Sequence, residues 1–172
     1  MNLKPQDIVV AMKLVAVGPN NWTYNQISFE LGMSPSEVHS AVKRLLKVNL
    51  VRKEDDDIVP NSENLQEFLE HGIQYAFAPD RSGMTRGLPT AYAAPPLSSQ
   101  ISKANEPPPV WPDPEGEQRG VGFSPLHKSV PSAARKDSVL YQLLVIVDAL
   151  RGGGAREKKI ATRELEKRLK RQ

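Results

Sequence analysis

A chain of 172 residues carrying 23 cations and 20 acids, with a formal net charge of +3, has room for one ordinary domain or a small domain with an extension. It has no cysteine, which excludes disulfides, thiol chemistry and every cysteine-containing zinc pattern. No apolar run approaches membrane-spanning length, and the first residues lack a basic-then-apolar signal pattern, so a soluble, cytoplasmic protein with no membrane partner is expected.

The first element is a helix from Pro5 to Val17. Ile8, Ala11, Met12 and Val15 give a 3.6-residue stripe, Val9 and Ala16 broaden it, and Gly18-Pro19 stops it. Two closely spaced helix starts follow. Thr23 with Gln26 reads as a capping box, flanked by the staple pair Trp22 and Ile27. Ser34 with Glu37 repeats the arrangement, with Pro35 at the first helical position and Met33 and Val38 as staple. Gly32 between them supplies the left-handed turn, so the pattern is helix, short turn, helix.

In the second helix of that pair Val38, Ala41, Val42, Leu45 and Leu46 form one apolar stripe. Ser36, Ser40, Lys43 and Lys47 line the opposite side, with His39 and Arg44 on the flanks. Small hydroxyls near the start and cations further along suit a recognition helix whose first turns meet base edges and whose later turns meet phosphates. A plain solvated helix face has the same composition, and it is the helix-turn-helix context that favours the DNA reading.

Residues 49–60 read as a β-hairpin with arms Leu50–Lys53 and Asp57–Val59, the position of the wing in a winged helix-turn-helix. Its tip carries Glu54, Asp55, Asp56 and Asp57, which phosphate repels. The expectation is that the tip points away from DNA while Arg52 and Lys53 on the arm make contact. Four consecutive acids lack the spacing of a calcium loop, so no metal is expected there. A further helix is predicted from Ser62 to Phe77, with Leu65, Phe68, Leu69, Ile73 and Ala76 on its apolar face.

From Pro79 to Lys136 lie eleven of the fifteen prolines, and no period persists beyond a short strand at Gly120–Phe123. The segment reads as an extended arm, with Pro107–Pro112 favouring polyproline II and Trp111 laid across the protein's own surface or a dimer mate. From Asp137 to Arg151 regular structure restarts as a helix apolar on nearly all sides. With few elements to cover it, Leu140, Leu143, Leu144, Val147 and Leu150 are expected at a homodimer interface. A last helix from Ala155 to Lys170 follows a triple glycine. Its cations are Arg156, Lys158, Lys159, Arg163, Lys167, Arg168, Lys170 and Arg171, and they read either as phosphate contacts or, preferably, as a solvated face. The expected fold is mainly α. It comprises a winged helix-turn-helix domain over 1–78 with a β-hairpin wing, a long proline-rich irregular segment over 79–136 and C-terminal helices over 137–172 for dimerisation.

Residues 5–78 resemble the winged helix-turn-helix domains of bacterial transcriptional regulators, the MarR-like and related groups. The matching parts are the run from Thr23 to Leu45 and the Leu50-Val51-Arg52 arm after it. The resemblance implies a dimeric regulator that binds double-stranded DNA, with no cofactor. Ser34, Ser36, His39, Ser40, Lys43, Arg44, Lys47, Arg52 and Lys53 are the candidate DNA-binding residues. The acidic tip departs from the usual wing, and residues 1–78 hold seven cations against ten acids, which opposes non-specific affinity. The competing reading is a protein-interaction module, such as an antitoxin or adaptor that grips a protein partner through the arm. Catalysis is not expected: there is no glycine-rich phosphate loop, no G-x-S-x-G elbow and no H-E-x-x-H pair, and His39, His71 and His127 lie far apart.

Overall fold

The computed structural model describes residues 1–170, so Arg171 lies outside the described residues. Three helices open the chain: α1 (Pro5–Val17), α2 (Tyr24–Leu31) and α3 (Pro35–Lys47). The hairpin β1 (Val51–Glu54) and β2 (Asp57–Pro60) follows, then α4 (Ser62–His71) and α5 (Ile73–Ala76). Next come β3 (Arg81–Pro89), β4 (Pro109–Pro112) and β5 (Gln118–Phe123), and finally α6 (Val130–Lys136), α7 (Ser138–Gly152) and α8 (Ala155–Leu169). The architecture is mixed α and β: helices predominate as expected, and the small sheets add a β component that the mainly helical expectation lacked. Among the described residues no helix is long and apolar enough to cross a membrane.

Local chemistry explains the first half. The Thr23 hydroxyl accepts from the Gln26 amide at 3.1 Å, but the Gln26 side chain turns to Glu30, so only half of that capping box forms. The Ser34 box is complete: Glu37 N donates to Ser34 Oγ at 3.1 Å and Ser34 N donates to Glu37 Oε2 at 2.7 Å. Gly32 takes φ +69°, the left-handed conformation that ends α2 and aims the chain into α3. The hairpin pairs Val51 with Pro60 and Glu54 with Asp57, leaving Asp55-Asp56 as a two-residue turn. The single helix expected over 62–77 is broken at Gly72.

The segment expected to be an irregular arm contains a sheet. β3 pairs antiparallel with both β4 and β5, and β4 pairs parallel with β5, so three strands close on one another. Such close backbone approach needs residues without a Cβ. A Cβ at Gly87 would lie 2.0 Å from the Trp111 carbonyl oxygen, and one at Gly120 would lie 2.0 Å from that of Pro108. Trp111 is fully buried in β4 instead of lying on a surface, and its indole Nε1 donates to Asp148 on α7 at 2.6 Å. Thr90 Oγ1 donates to the same carboxylate oxygen at 2.6 Å, and Arg151 Nη1 donates to the other at 2.7 Å. This buried polar cluster fastens the sheet to α7.

α7 is the centre of the core. It packs against α1, α4, α5, α6 and α8 as well as the short 3₁₀ turn at Ala91–Ala93. Leu140, Leu143, Leu144, Val147 and Leu150 are between 0% and 2% exposed within a single chain. Their expected role in dimerisation is therefore corrected: the surface that covers them comes from the chain's own elements, two of them, the 3₁₀ turn and α6, drawn from the segment read as an arm.

Candidate nucleic-acid interface

α3 lies on α1 through Val38, Ala41, Val42 and Leu45, each no more than 2% exposed. Burying that stripe leaves the opposite side to solvent. Ser36, His39, Ser40, Lys43 and Lys47 are all exposed there, Lys47 Nζ donating to the Met1 carbonyl at 3.4 Å. Ser34 is exposed too, but its hydroxyl is engaged by the Glu37 amide and lies 3.4 Å from Ser36 Oγ, so it serves the cap. His39 stacks on Tyr24 of α2 with ring centroids 3.6 Å apart and planes 13° from parallel. Tyr24 in turn meets Trp22 edge-on at 5.2 Å. The imidazole is thus held on an aromatic pair at the start of α2, with one edge left free.

Arg44 departs from the expectation. It is 8% exposed and forks onto Asp7, with Nε and Nη2 each 2.7 Å from a carboxylate oxygen. Asp7 is fully buried and also accepts from the Lys4 amide at the start of α1. Arg44 therefore ties α3 to α1 and is removed from the set of DNA-contacting candidates. A flank position on a helix wheel faces whatever the neighbouring helix presents, and here α1 presents a carboxylate.

The hairpin keeps Arg52 and Lys53 exposed. They are adjacent in one strand and so project from opposite faces of it. Arg52 also lies 3.0 Å from Glu54, both side chains being more than half exposed, an arrangement that solvent makes weak. The tip carboxylates Asp56 and Asp57 border a cleft of about 370 Å³ beside Trp22 and Tyr24, which places negative charge near the start of α2. Among the described residues no group of three or more histidines or acids is placed to hold a metal ion.

One contributor has no signal in the local sequence. The stretch before α6 packs against the turn between α2 and α3: a Cβ at Gly32 would stand 3.7 Å from Ser129 Cβ. Exposed Lys128 therefore sits beside the first turn of α3. The Ser34 backbone amide holds the Glu37 carboxyl below its ordinary range, with smaller contributions from His127 and Lys128. Burial pushes the His127 imidazole down, Lys128 adds to this and Glu37 opposes it. Its Nδ1 accepts from the Ser129 amide at 3.2 Å. Two further exposed residues flank this face, Phe29 on α2 and Lys136 on α6, the ammonium lying 5.6 Å from the ring centroid.

The arrangement can present hydroxyls, an imidazole and lysines to a polyanion. A hydroxyl–imidazole pair borders it, Ser129 Oγ lying 2.8 Å from His127 Nδ1. Compared with protein-family models, with curated proteins and with solved structures, the chain matches none.

Proposed function

We propose that this protein is a DNA-binding transcriptional regulator that seats α3 in the major groove of duplex DNA, with the β1–β2 hairpin as its wing. The observation that carries the reading is the two-sidedness of α3: an apolar stripe sealed against α1, and Ser36, His39, Ser40, Lys43 and Lys47 left open on the other side. In this reading Ser36, His39 and Ser40 face base edges, while Lys43, Lys47 and Lys128 meet phosphates. Because α7 is covered within the chain, the reading needs no second subunit, and one α3 addresses one short half-site.

The test is a fluorescence-anisotropy titration of the full chain against a selected pool of duplexes at several salt concentrations. Specific binding that Lys43→Ala weakens on every sequence, and that Ser40→Ala weakens only on preferred ones, supports the assignment. Absence of duplex binding at low salt, with one protein partner recovered in stoichiometric amount, would instead favour the protein-interaction module.

A further inference from the structure

The last helix presents a second charged face. At about 100° per residue, Arg156, Lys159, Arg163, Lys167 and Lys170 fall within an arc of roughly 80°, at steps of three or four residues. All five are exposed. The other cations of α8 are engaged: Arg168 with Glu164 and Gln142, and Lys158 with Gln74. The acids of α8 turn elsewhere. Glu157 and Glu164 are 7% exposed, Glu157 pairing with Lys103, and Glu166 accepts from Gln66. Among the described residues Arg156, Lys159, Arg163 and Lys170 have no ion-pair partner, and Lys167 has only Glu164 at 3.3 Å. Four of the five cations on the stripe are therefore unpaired among the described residues, which a face stabilised by its own i to i+4 pairs would not show.

The stripe belongs to a different helix pair from the α3 face. α3 packs on α1 and α2, whereas α8 packs on α7 and α4, its end reaching the start of α4 where Ser62 Oγ donates to the Leu169 carbonyl at 3.4 Å.

We infer that the exposed cationic stripe of α8 is a second, sequence-independent surface for the phosphate backbone of duplex DNA. Three features select this partner. From Arg156 to Lys170 the helix rises roughly 21 Å, a length over which one strand of a duplex carries about six phosphates. A straight row of five cations matches a regular linear array of single charges. The apolar residues Ile160, Ala161, Leu165 and Leu169 are all buried against the core, leaving α8 nothing to insert into a lipid surface. Lysine and arginine side chains spread along the whole length of one helix suit phosphates better than base edges, so the contact is electrostatic.

The proposal stands apart from the reading of α3, and one experiment separates them. The full chain is titrated into a labelled 30-base-pair duplex of arbitrary sequence over a range of salt concentrations. The stripe variant is Arg156→Gln, Lys159→Gln, Arg163→Gln and Lys167→Gln combined. The second variant is Lys43→Gln with Lys47→Gln, and the third keeps charge through Arg156→Lys and Arg163→Lys. Thermal melts monitor folding, which these exposed positions should leave unchanged. The expected result is a salt slope lower by roughly 3 to 4 units in the stripe variant, with affinity down at least about tenfold, while the charge-keeping variant retains the slope. An unchanged slope in the stripe variant, with binding lost in the α3 variant, would overturn the proposal and leave the α3 reading standing. Retention of the stripe-dependent slope in the α3 variant supports it. Binding to polyglutamate or anionic vesicles with the same stripe dependence, at affinity equal to or above that for the duplex, would overturn the choice of partner.

Discussion

Arg44 on α3 and Asp7 on α1 form a two-pronged ion pair, each prong 2.7 Å long, on which the placement of the candidate recognition helix depends. Asp7 is wholly buried, so removal of the guanidinium leaves a carboxylate without its charge partner inside the core. Arg44→Ala is expected to lower unfolding free energy by about 3 kcal/mol or more, measured by urea denaturation. Arg44→Lys restores charge but not the fork, so a partial loss is expected. A variant as stable as the parent but weaker on DNA would contradict the structural role.

A second buried cation, Lys13 on α1, joins three helices. Its Nζ lies 2.8 Å from Asp137, which caps α7, and 3.0 Å from Glu30 on α2. Burial alone would lower the Lys13 pKa, but the hydrogen bonds to Asp137 and Glu30 outweigh it and the net shift is upward. Burial would raise the Asp137 carboxyl, yet Lys13 and the first amides of α7 hold it below the ordinary range. The depressed carboxyl contributes stability above its unfolded pKa, and that contribution is lost as pH falls through its folded value. The raised lysine contributes below its unfolded pKa, and that contribution is lost as pH rises through its folded value. Lys13→Met should therefore cost about 2 kcal/mol near neutrality. The gap to the parent should close in acid below the ordinary aspartate range, and again at strongly alkaline pH. Denaturation midpoints across pH check this, and a gap constant into acid would refute it.

The Asp148 cluster predicts a different pattern. Trp111→Phe removes one of the donors to a buried carboxylate and shrinks a bicyclic ring to a single one, leaving a small cavity. The expected cost is about 1 to 3 kcal/mol, read from chemical denaturation. Asp148→Ala strands the Trp111 and Thr90 donors and takes the charge partner from Arg151, which keeps the Phe77 and Ser124 carbonyls, so it should cost more than Trp111→Phe. Equal losses would show that the three donors find other partners.

Because α7 is sealed within one chain, its packing should be independent of protein concentration. Leu144→Ala is expected to cost about 2 to 5 kcal/mol, the penalty of a cavity in a core. Melting temperatures of parent and variant should not move over a hundredfold range of concentration. A cost of Leu144→Ala that changes with concentration would place α7 in an intermolecular contact.

The sequence by itself determined the elements whose causes are local. Caps at Thr23 and Ser34, a left-handed glycine at Gly32 and an apolar stripe every three or four residues specify α1, α2 and α3 close to their observed ends. The two short arms and their acidic turn were equally legible, because hairpin register follows from neighbours a few residues away. Only the tertiary structure decided the rest. β3, β4 and β5 owe their pairing to partners tens of residues distant, and the glycines that let their backbones touch read locally as breakers. Trp111 and Pro89 of that hidden sheet also meet Asp148 and Tyr141 of α7, so an all-round apolar helix looked in need of a second subunit. The candidate interface divides the same way. Exposure of Ser36, His39, Ser40, Lys43 and Lys47 follows from helical period alone. The withdrawal of Arg44 to Asp7 and the arrival of Lys128 beside α3 depend on which segments long-range packing brings together, a matter no local pattern encodes.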